Sequence, residues 1–239
     1  MTKEQAKKLV GERGAQLVEV GMAVGLGTGT TATEFIRALA ARNASTTLHI
    51  RCVASSDASA HLARSLGLQV LTLNELPRLD LYIDGADEVD PNLYLIKGGG
   101  GAHLREKIVA SSSDQFVVLV DSSKMVATLG KFPLPVEVVK TAYVAIQLRL
   151  EALDLNPVLR LAKGTNEPML TDESNYILDC HCGPIADPRE ISAEIRNIVG
   201  VVEHGLFLNM VSMCLVAGDD GILELNRSFV TPRAPNQTV

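Results

Sequence analysis

The sequence predicts an α/β fold: a mostly parallel, Rossmann-like sheet with helices on both faces, joined to a smaller ferredoxin-like α+β domain. Three observations carry this. Short apolar runs alternate with helix-patterned segments from residue 3 to residue 120. Four of those runs end in clusters of glycine, hydroxyl or acidic residues. Between residues 136 and 207 the order becomes β-α-β-β-α-β, the split ferredoxin-like unit. Residues 1–132 and 208–239 are assigned to the larger domain and 133–207 to the smaller.

The elements follow in order. Residues 3–19 have helical spacing, with Ala6, Leu9, Val10 and Leu17 able to share a face. Residues 22–26 are apolar and break at a glycine cluster, which reads as a buried strand. A helix is expected over 31–39, a strand over 48–54, a helix over 58–66 ended by Gly67, and a strand over 68–71. Residues 79–83 form a further strand that stops at Asp84. Residues 93–96 are short and extended, 103–111 helical, and 116–120 a valine-rich strand. Such alternation implies parallel strands covered on both faces. Ligands of such sheets bind outside the carboxyl ends of the strands.

The pattern changes after the proline-containing stretch 131–135. Strands are expected over 136–139, 158–162, 176–182 and 201–207, with helices over 141–153 and 188–198. Pro188 suits a first helical turn, where a missing N–H costs nothing. Residues 211–217 and 222–225 read as two strands returning to the first sheet. The tail from Thr231 is polar, contains proline and is expected to fray.

Composition narrows the function. The chain has 239 residues and a net charge of −6, with no basic block. A nucleic-acid surface wants a clustered positive face, and base stacking wants aromatics, which are few here. The first residues are charged and amphipathic, unlike a secretion signal, and no apolar run is long enough to cross a bilayer. A cytoplasmic protein with no membrane partner is expected. Cys52, Cys180, Cys182 and Cys214 lack a disulfide-framework spacing and read as free thiols. Cys180 and Cys182 would share one strand face with His181 pointing away, and no second ligand pair accompanies them. No metal site is read there.

The chemistry gathers at strand ends. Residues 25–31, Gly-Leu-Gly-Thr-Gly-Thr-Thr, lead into a helix. Free N–H groups at a helix start beside threonine hydroxyls suit a phosphate. Neither the dinucleotide fingerprint nor a P-loop is present, and a plain tight turn is the alternative. Ser55, Ser56 and Asp57 cap the next helix or touch a ligand. Asp84, Asp87, Glu88 and Asp90 crowd seven residues and could be a solvated turn, a metal loop or a site for acid–base chemistry and hydroxyl binding. The EF-hand spacing fails. Asp121-Ser122-Ser123-Lys124 offers a cation for a phosphate, or only a surface ion pair. Lys7 and Lys8 read as solvated, with reach for one to extend over the cleft.

The most informative stretch is residues 97–107. Four consecutive glycines, Gly98, Gly99, Gly100 and Gly101, lie between strand and helix signals. Without Cβ atoms their backbone can approach a ligand and turn N–H groups toward it. Lys97 precedes them and Glu106 follows in the first helical turn, so an oxyanion and a base can be held side by side. A flexible linker is the alternative. If the sheet is parallel, all these clusters share one edge. That inventory suits proton transfer next to the carbonyl of a sugar phosphate.

The segments GLGTGTTA, SSDAS, DGADEVD, KGGGGAHLREKIVAS, DSSK and LGKFPLPVEV resemble ribose-5-phosphate isomerase of the A type. Looser similarity continues through ILDC and GVVEHGLF to nearly the whole chain. The resemblance implies interconversion of ribose 5-phosphate and ribulose 5-phosphate without metal or cofactor, in a homodimer or homotetramer. It implies Glu106 as the proton-abstracting base, with Asp84 and Lys97 in catalysis. Substrate binding is implied for Thr28, Gly29, Thr30 and Thr31, for Asp84, Gly85, Ala86 and Asp87, for Lys97, Gly98, Gly99 and Gly100, and for Lys124. Thr30 replaces a frequent serine and keeps the hydroxyl, while His103 has no assigned role. A sugar-phosphate sensor, or a related deaminase or CoA-transferase-like protein, is the competing reading. A sensor has no use for a base at Glu106, and no DNA-binding segment is legible before residue 20.

Overall fold

The computed structural model describes residues 1–227. The tail from Thr231, with the fraying expected of it, lies outside the described residues. Helix α1 (Lys3–Gln16) opens on a capping box in which Gln5 N–H donates to Thr2 Oγ1 at 3.2 Å and Thr2 N–H donates to Gln5 Oε1 at 2.9 Å. Strand β1 (Ala23–Leu26) is buried throughout. Helix α2 (Thr30–Thr46) runs beyond the expected 31–39, because the alanine-rich stretch after Leu39 keeps helical propensity without apolar periodicity. It stops at Thr47, which is left-handed at φ 48°. Strand β2 (Arg51–Ala54) leads to α3 (Asp57–Ser65), where Ser59 N–H donates to the Ser56 side chain at 3.2 Å. Ser56 is therefore a helix cap.

The chain continues through β3 (Val70–Leu71), β4 (Leu79–Asp84), β5 (Glu88–Val89), β6 (Leu95–Ile96), α4 (His103–Ser111) and β7 (Ser113–Asp121). Then come β8 (Leu134–Val138), α5 (Tyr143–Glu151), β9 (Pro157–Leu159), β10 (Tyr176–Cys180) and α6 (Pro188–Arg196). The last elements are β11 (Val201–His204), β12 (Leu206–Phe207), β13 (Met213–Gly218) and β14 (Gly221–Asn226).

The main sheet has seven strands in the order β14-β13-β7-β4-β1-β2-β3, parallel except for the β13/β14 hairpin. The expected return of the last two strands is met. One face packs on α1, α2 and α3 through Val10, Phe35, Ile36 and Leu39. The other packs on α4 and on a three-stranded sheet, β12-β6-β5, through Val109, Leu95 and Phe207. Each such fully buried side chain contributes roughly 1.5–3 kcal/mol.

A second, four-stranded sheet, β11-β8-β10-β9, is antiparallel throughout. Its order and its two helices are those of the ferredoxin-like unit, with Ile146, Leu150 and Ile195 in its core. The single strand expected over 201–207 is instead two. At Gly205 the chain leaves the four-stranded sheet and enters the three-stranded one. Gly205 N–H donates to Pro135 O at 2.8 Å, and its carbonyl accepts from Lys97 N–H at 2.9 Å. That bend ties the backbone of Lys97 to both sheets.

Candidate active site

The order of the main sheet reverses between β1 and β4, and ligands bind at such switch points. A cavity of about 250 Å³ opens there. The turn after β1 supplies Thr28, Gly29, Thr30 and Thr31 to its wall. The turn after β4 supplies Gly85, Ala86 and Asp87. Lys97, Gly98, Gly99 and Gly100 line it, with Glu106 from α4 and Lys124 from the turn after β7. Every expected site residue therefore lines one cavity except Asp84, which lies fully buried beneath it.

One part of the cavity wall combines a helix start, hydroxyls and cations. Helix α2 begins at Gly29 (φ 96°) without a side-chain cap. The first intrahelical bond is from Thr33 N–H to Gly29 O, so the N–H groups before it have no intrahelical partner. Lys3 and Lys7 of α1 and Lys124 line the same cavity. Lys7 pairs with Glu4 at 2.8 Å and reaches the cavity, while Lys8 pairs with Glu12 at 3.9 Å. Sequence reasoning missed Lys3, whose place follows only from the docking of α1.

Another part of the site holds three buried charged groups. Asp84 Oδ1 accepts from Thr28 N–H at 2.9 Å and Gly85 N–H at 2.7 Å. Its Oδ2 accepts from the Tyr82 hydroxyl in a short bond and from Lys97 Nζ at 2.8 Å. Gly27 permits this closeness, because a Cβ there would collide with the Asp84 carboxylate. Lys97 Nζ also donates to Gly85 O at 2.6 Å and lies 3.4 Å from Glu106 Oε2. Burial pulls the Lys97 ammonium down, but the Asp84 and Glu106 carboxylates more than offset it and hold it charged. Burial raises Glu106 well above the usual carboxylate range, which Lys97 opposes and Asp84 and Asp87 reinforce. Asp84, at 2.8 Å and hydrogen-bonded, is the true ion-pair partner of Lys97. Glu106 lies farther off, with Oε2 lacking a hydrogen bond.

The acidic cluster after β4 is neither a solvated turn nor a metal loop. Asp87 Oδ2 accepts from Gly99 N–H at 2.8 Å. Glu88, 3% exposed, accepts from Gly130 and Phe132 N–H at 2.7 and 2.6 Å. Asp90 accepts from Asn92 and Tyr94 N–H at 2.9 and 2.8 Å. Each acid satisfies backbone donors of a different segment, and only Asp87 faces the cavity.

The glycine loop is fixed by several contacts. Gly98 (φ 105°) rests on the ring of His103, so a Cβ there would lie 2.8–2.9 Å from ring atoms. His103 is fully buried; burial first, then Lys107 and Arg160, lower it to about 3, and it stays neutral. Gly101 N–H is committed to Gly98 O at 2.9 Å and Gly99 N–H to Asp87. Among the described residues the Gly98 and Gly100 N–H groups have no partner. The donors available to a ligand are thus fewer than the whole run, as expected from sequence, would supply.

A family profile, ribose 5-phosphate isomerase A (phosphoriboisomerase A), matches residues 51–221. Ribose-5-phosphate isomerase A of Roseiflexus castenholzii is 52% identical over 221 residues, covering 92% of this chain and 94% of that protein. The solved ribose 5-phosphate isomerase A of Methanocaldococcus jannaschii superposes with a TM-score of 0.90 at 41% identity, over 94% of this chain and 100% of that one. A D-ribose-5-phosphate isomerase solved in complex with phospho-erythronic acid gives 0.92 at 34% identity, over 95% and 100%. Fold, cavity and likenesses together define an aldose–ketose isomerase. The chain belongs to the ribose-5-phosphate isomerase A family.

Proposed function

We propose that the protein interconverts D-ribose 5-phosphate and D-ribulose 5-phosphate by metal-free proton transfer through a cis-enediolate. The observation that carries this reading is Glu106: a buried, raised-pKa carboxylate on the cavity wall, beside an ammonium it does not hydrogen-bond. Glu106 removes the proton from C2 of the open-chain aldose and returns it to C1. One base suffices, because both carbons present the same face. The negative charge that develops on oxygen meets Lys97 and the free N–H groups of the 98–101 loop. Each such donor is worth about 3 kcal/mol.

Asp84 is too enclosed to touch the sugar, so it acts through Lys97, fixing that ammonium and assisting ring opening with it. Asp87 positions hydroxyls. Thr28, Gly29, Thr30, Thr31 and Lys124 hold the phosphate and, with it, the alignment of the far carbons. Phospho-erythronic acid, the ligand of the relative, joins a phosphate to a planar carboxylate, the charge pattern of an enediolate phosphate. Such a ligand would place its phosphate among Thr28–Thr31 side chains and Lys124, and its carboxylate beside Glu106. The wider setting of this reading is a cytoplasmic homodimer or homotetramer in non-oxidative pentose phosphate metabolism, with 133–207 as the smaller domain; the oligomer comes from the family resemblance, the compartment and the domain boundary from the sequence pattern.

Glu106→Gln tests the reading. Sugar-phosphate binding should persist while kcat falls by roughly 10²–10⁴, the usual worth of a general base. Normal turnover would remove Glu106 from the role.

A further inference from the structure

Arg160 lies outside the cavity and outside every motif that marks the site. It directly follows β9 in the four-stranded sheet, and its backbone extends the pairing: Arg160 N–H donates to Ile177 O at 2.9 Å. Its guanidinium forks onto Asp179 of β10, with Nε to Oδ2 at 2.8 Å and Nη2 to Oδ1 at 2.5 Å. The remaining nitrogen, Nη1, crosses to the glycine loop. It donates to Gly98 O at 2.8 Å and Gly99 O at 3.3 Å.

A trans peptide is planar, and its C=O and N–H point in opposite directions. No peptide of the described chain is cis. Fixing a carbonyl therefore aims the following amide. In the Gly98–Gly99 peptide the oxygen is held by Arg160 and the N–H by Asp87 Oδ2, so both ends are pinned. In the Gly99–Gly100 peptide the oxygen is held by Arg160, and the Gly100 N–H has no partner among the described residues. Gly100 lines the cavity. The Gly101 N–H to Gly98 O bond closes the turn around this peptide, and because glycines have little intrinsic preference for one orientation within it, the contacts from Arg160 outside the loop add to its aim.

We propose that Arg160, oriented by Asp179, is a positioning residue for the isomerisation: it holds the carbonyls of Gly98 and Gly99 so that the Gly100 N–H faces the developing oxyanion. The four-stranded sheet thereby sets the geometry of the reaction. This rests on the reading of the 98–101 loop as the oxyanion site. It also accounts for the use of arginine, since lysine cannot grip a carboxylate with two nitrogens and two carbonyls with a third.

The test is kinetic and uses the full chain. Arg160→Gln should lower kcat by about 10–100-fold, the cost of misplacing a catalytic donor by roughly an ångström, with KM changed less than about threefold. Affinity for phospho-erythronic acid should weaken about tenfold while affinity for inorganic phosphate stays put, because only the carboxylate end meets the loop. Arg160→Lys should fall between. If Arg160→Gln fails to fold because Asp179 is left unpaired, Arg160→Gln/Asp179→Asn carries the same test without an uncompensated charge. Unchanged kcat in whichever variant folds, or parallel loss of affinity for both probes, overturns the proposal. Glu106→Gln run alongside keeps the claims apart. Full turnover there removes Glu106 as the base, while the Arg160→Gln result still decides the positioning role. An inactive Glu106→Gln beside a fully active Arg160→Gln overturns the positioning role alone.

Discussion

Lys97 Nζ lies 3.4 Å from Glu106 Oε2 and makes no hydrogen bond to it, because the ammonium is directed at Asp84 Oδ2 and Gly85 O. One buried cation thus serves two carboxylates unequally. Asp84 takes the ion pair, and Glu106, raised by burial, is left to the role of base proposed for it.

The pH profile should show this. Glu106 must be ionised to act, and burial lifts its pKa. The acid limb of kcat/KM should therefore lie clearly above the ordinary glutamate value of about 4.3. In Asp84→Asn burial still raises Glu106, but one of the two charges that add to it is gone and Lys97 is released to it, so that limb should move to lower pH. A limb that stays in place would show that Asp84 does not tune the base.

The same shift has a cost in stability, with a defined sign. A carboxyl whose folded pKa is raised binds its proton more tightly in the native state. Its contribution is fully present below the unfolded value and is lost as pH rises through the folded one. Glu106→Gln should therefore match the parent protein in acid and exceed its Tm at neutral and alkaline pH. Thermal melts across pH 4–9 check this. A lower Tm at alkaline pH would mean that the Glu106 carboxylate stabilises the fold.

Gly98→Ala should be far worse than its size suggests. The new Cβ meets the His103 ring at 2.8–2.9 Å, and φ 105° is unfavourable for any side chain. The loop must move, and kcat should drop at least about tenfold. Gly100→Ala, with only Thr28 Cγ2 near at 3.9 Å, leaves the loop in place and should cost less, through the cavity it lines alone. Equal losses in steady-state kinetics would contradict the idea that His103 supports the loop.

Much of this site is legible in the sequence, for physical reasons. Strand ends announce themselves where an apolar run meets glycine or acid, as at Leu26-Gly27 and Ile83-Asp84, and a parallel sheet brings such ends together. The proposed base is legible because Glu106 follows a glycine run in the first turn of a helix. Contacts made by a side chain from a distant segment are not. Arg160 carries no local signal, and Lys3 reaches the cavity only through the packing of α1. Glu88 and Asp90 looked like part of one acidic loop because sequence spacing cannot tell a solvated carboxylate from one buried on backbone N–H groups. Strands β5, β6 and β12 are two residues each, too short to show a period. The break at Gly205 is hidden inside a run that alternates well enough for one strand.

The central claim is that a single base moves a proton between C2 and C1. Isomerisation of ribose 5-phosphate in deuterium oxide, followed by NMR of the product, tests it most directly. A single-base enediolate route predicts that the hydrogen gained at C1, whether the C2 proton itself or solvent deuterium exchanged onto Glu106, occupies one of the two C1 positions, with exchange and turnover lost together in Glu106→Gln. Label spread over both C1 positions, or turnover and exchange retained in Glu106→Gln, would contradict it.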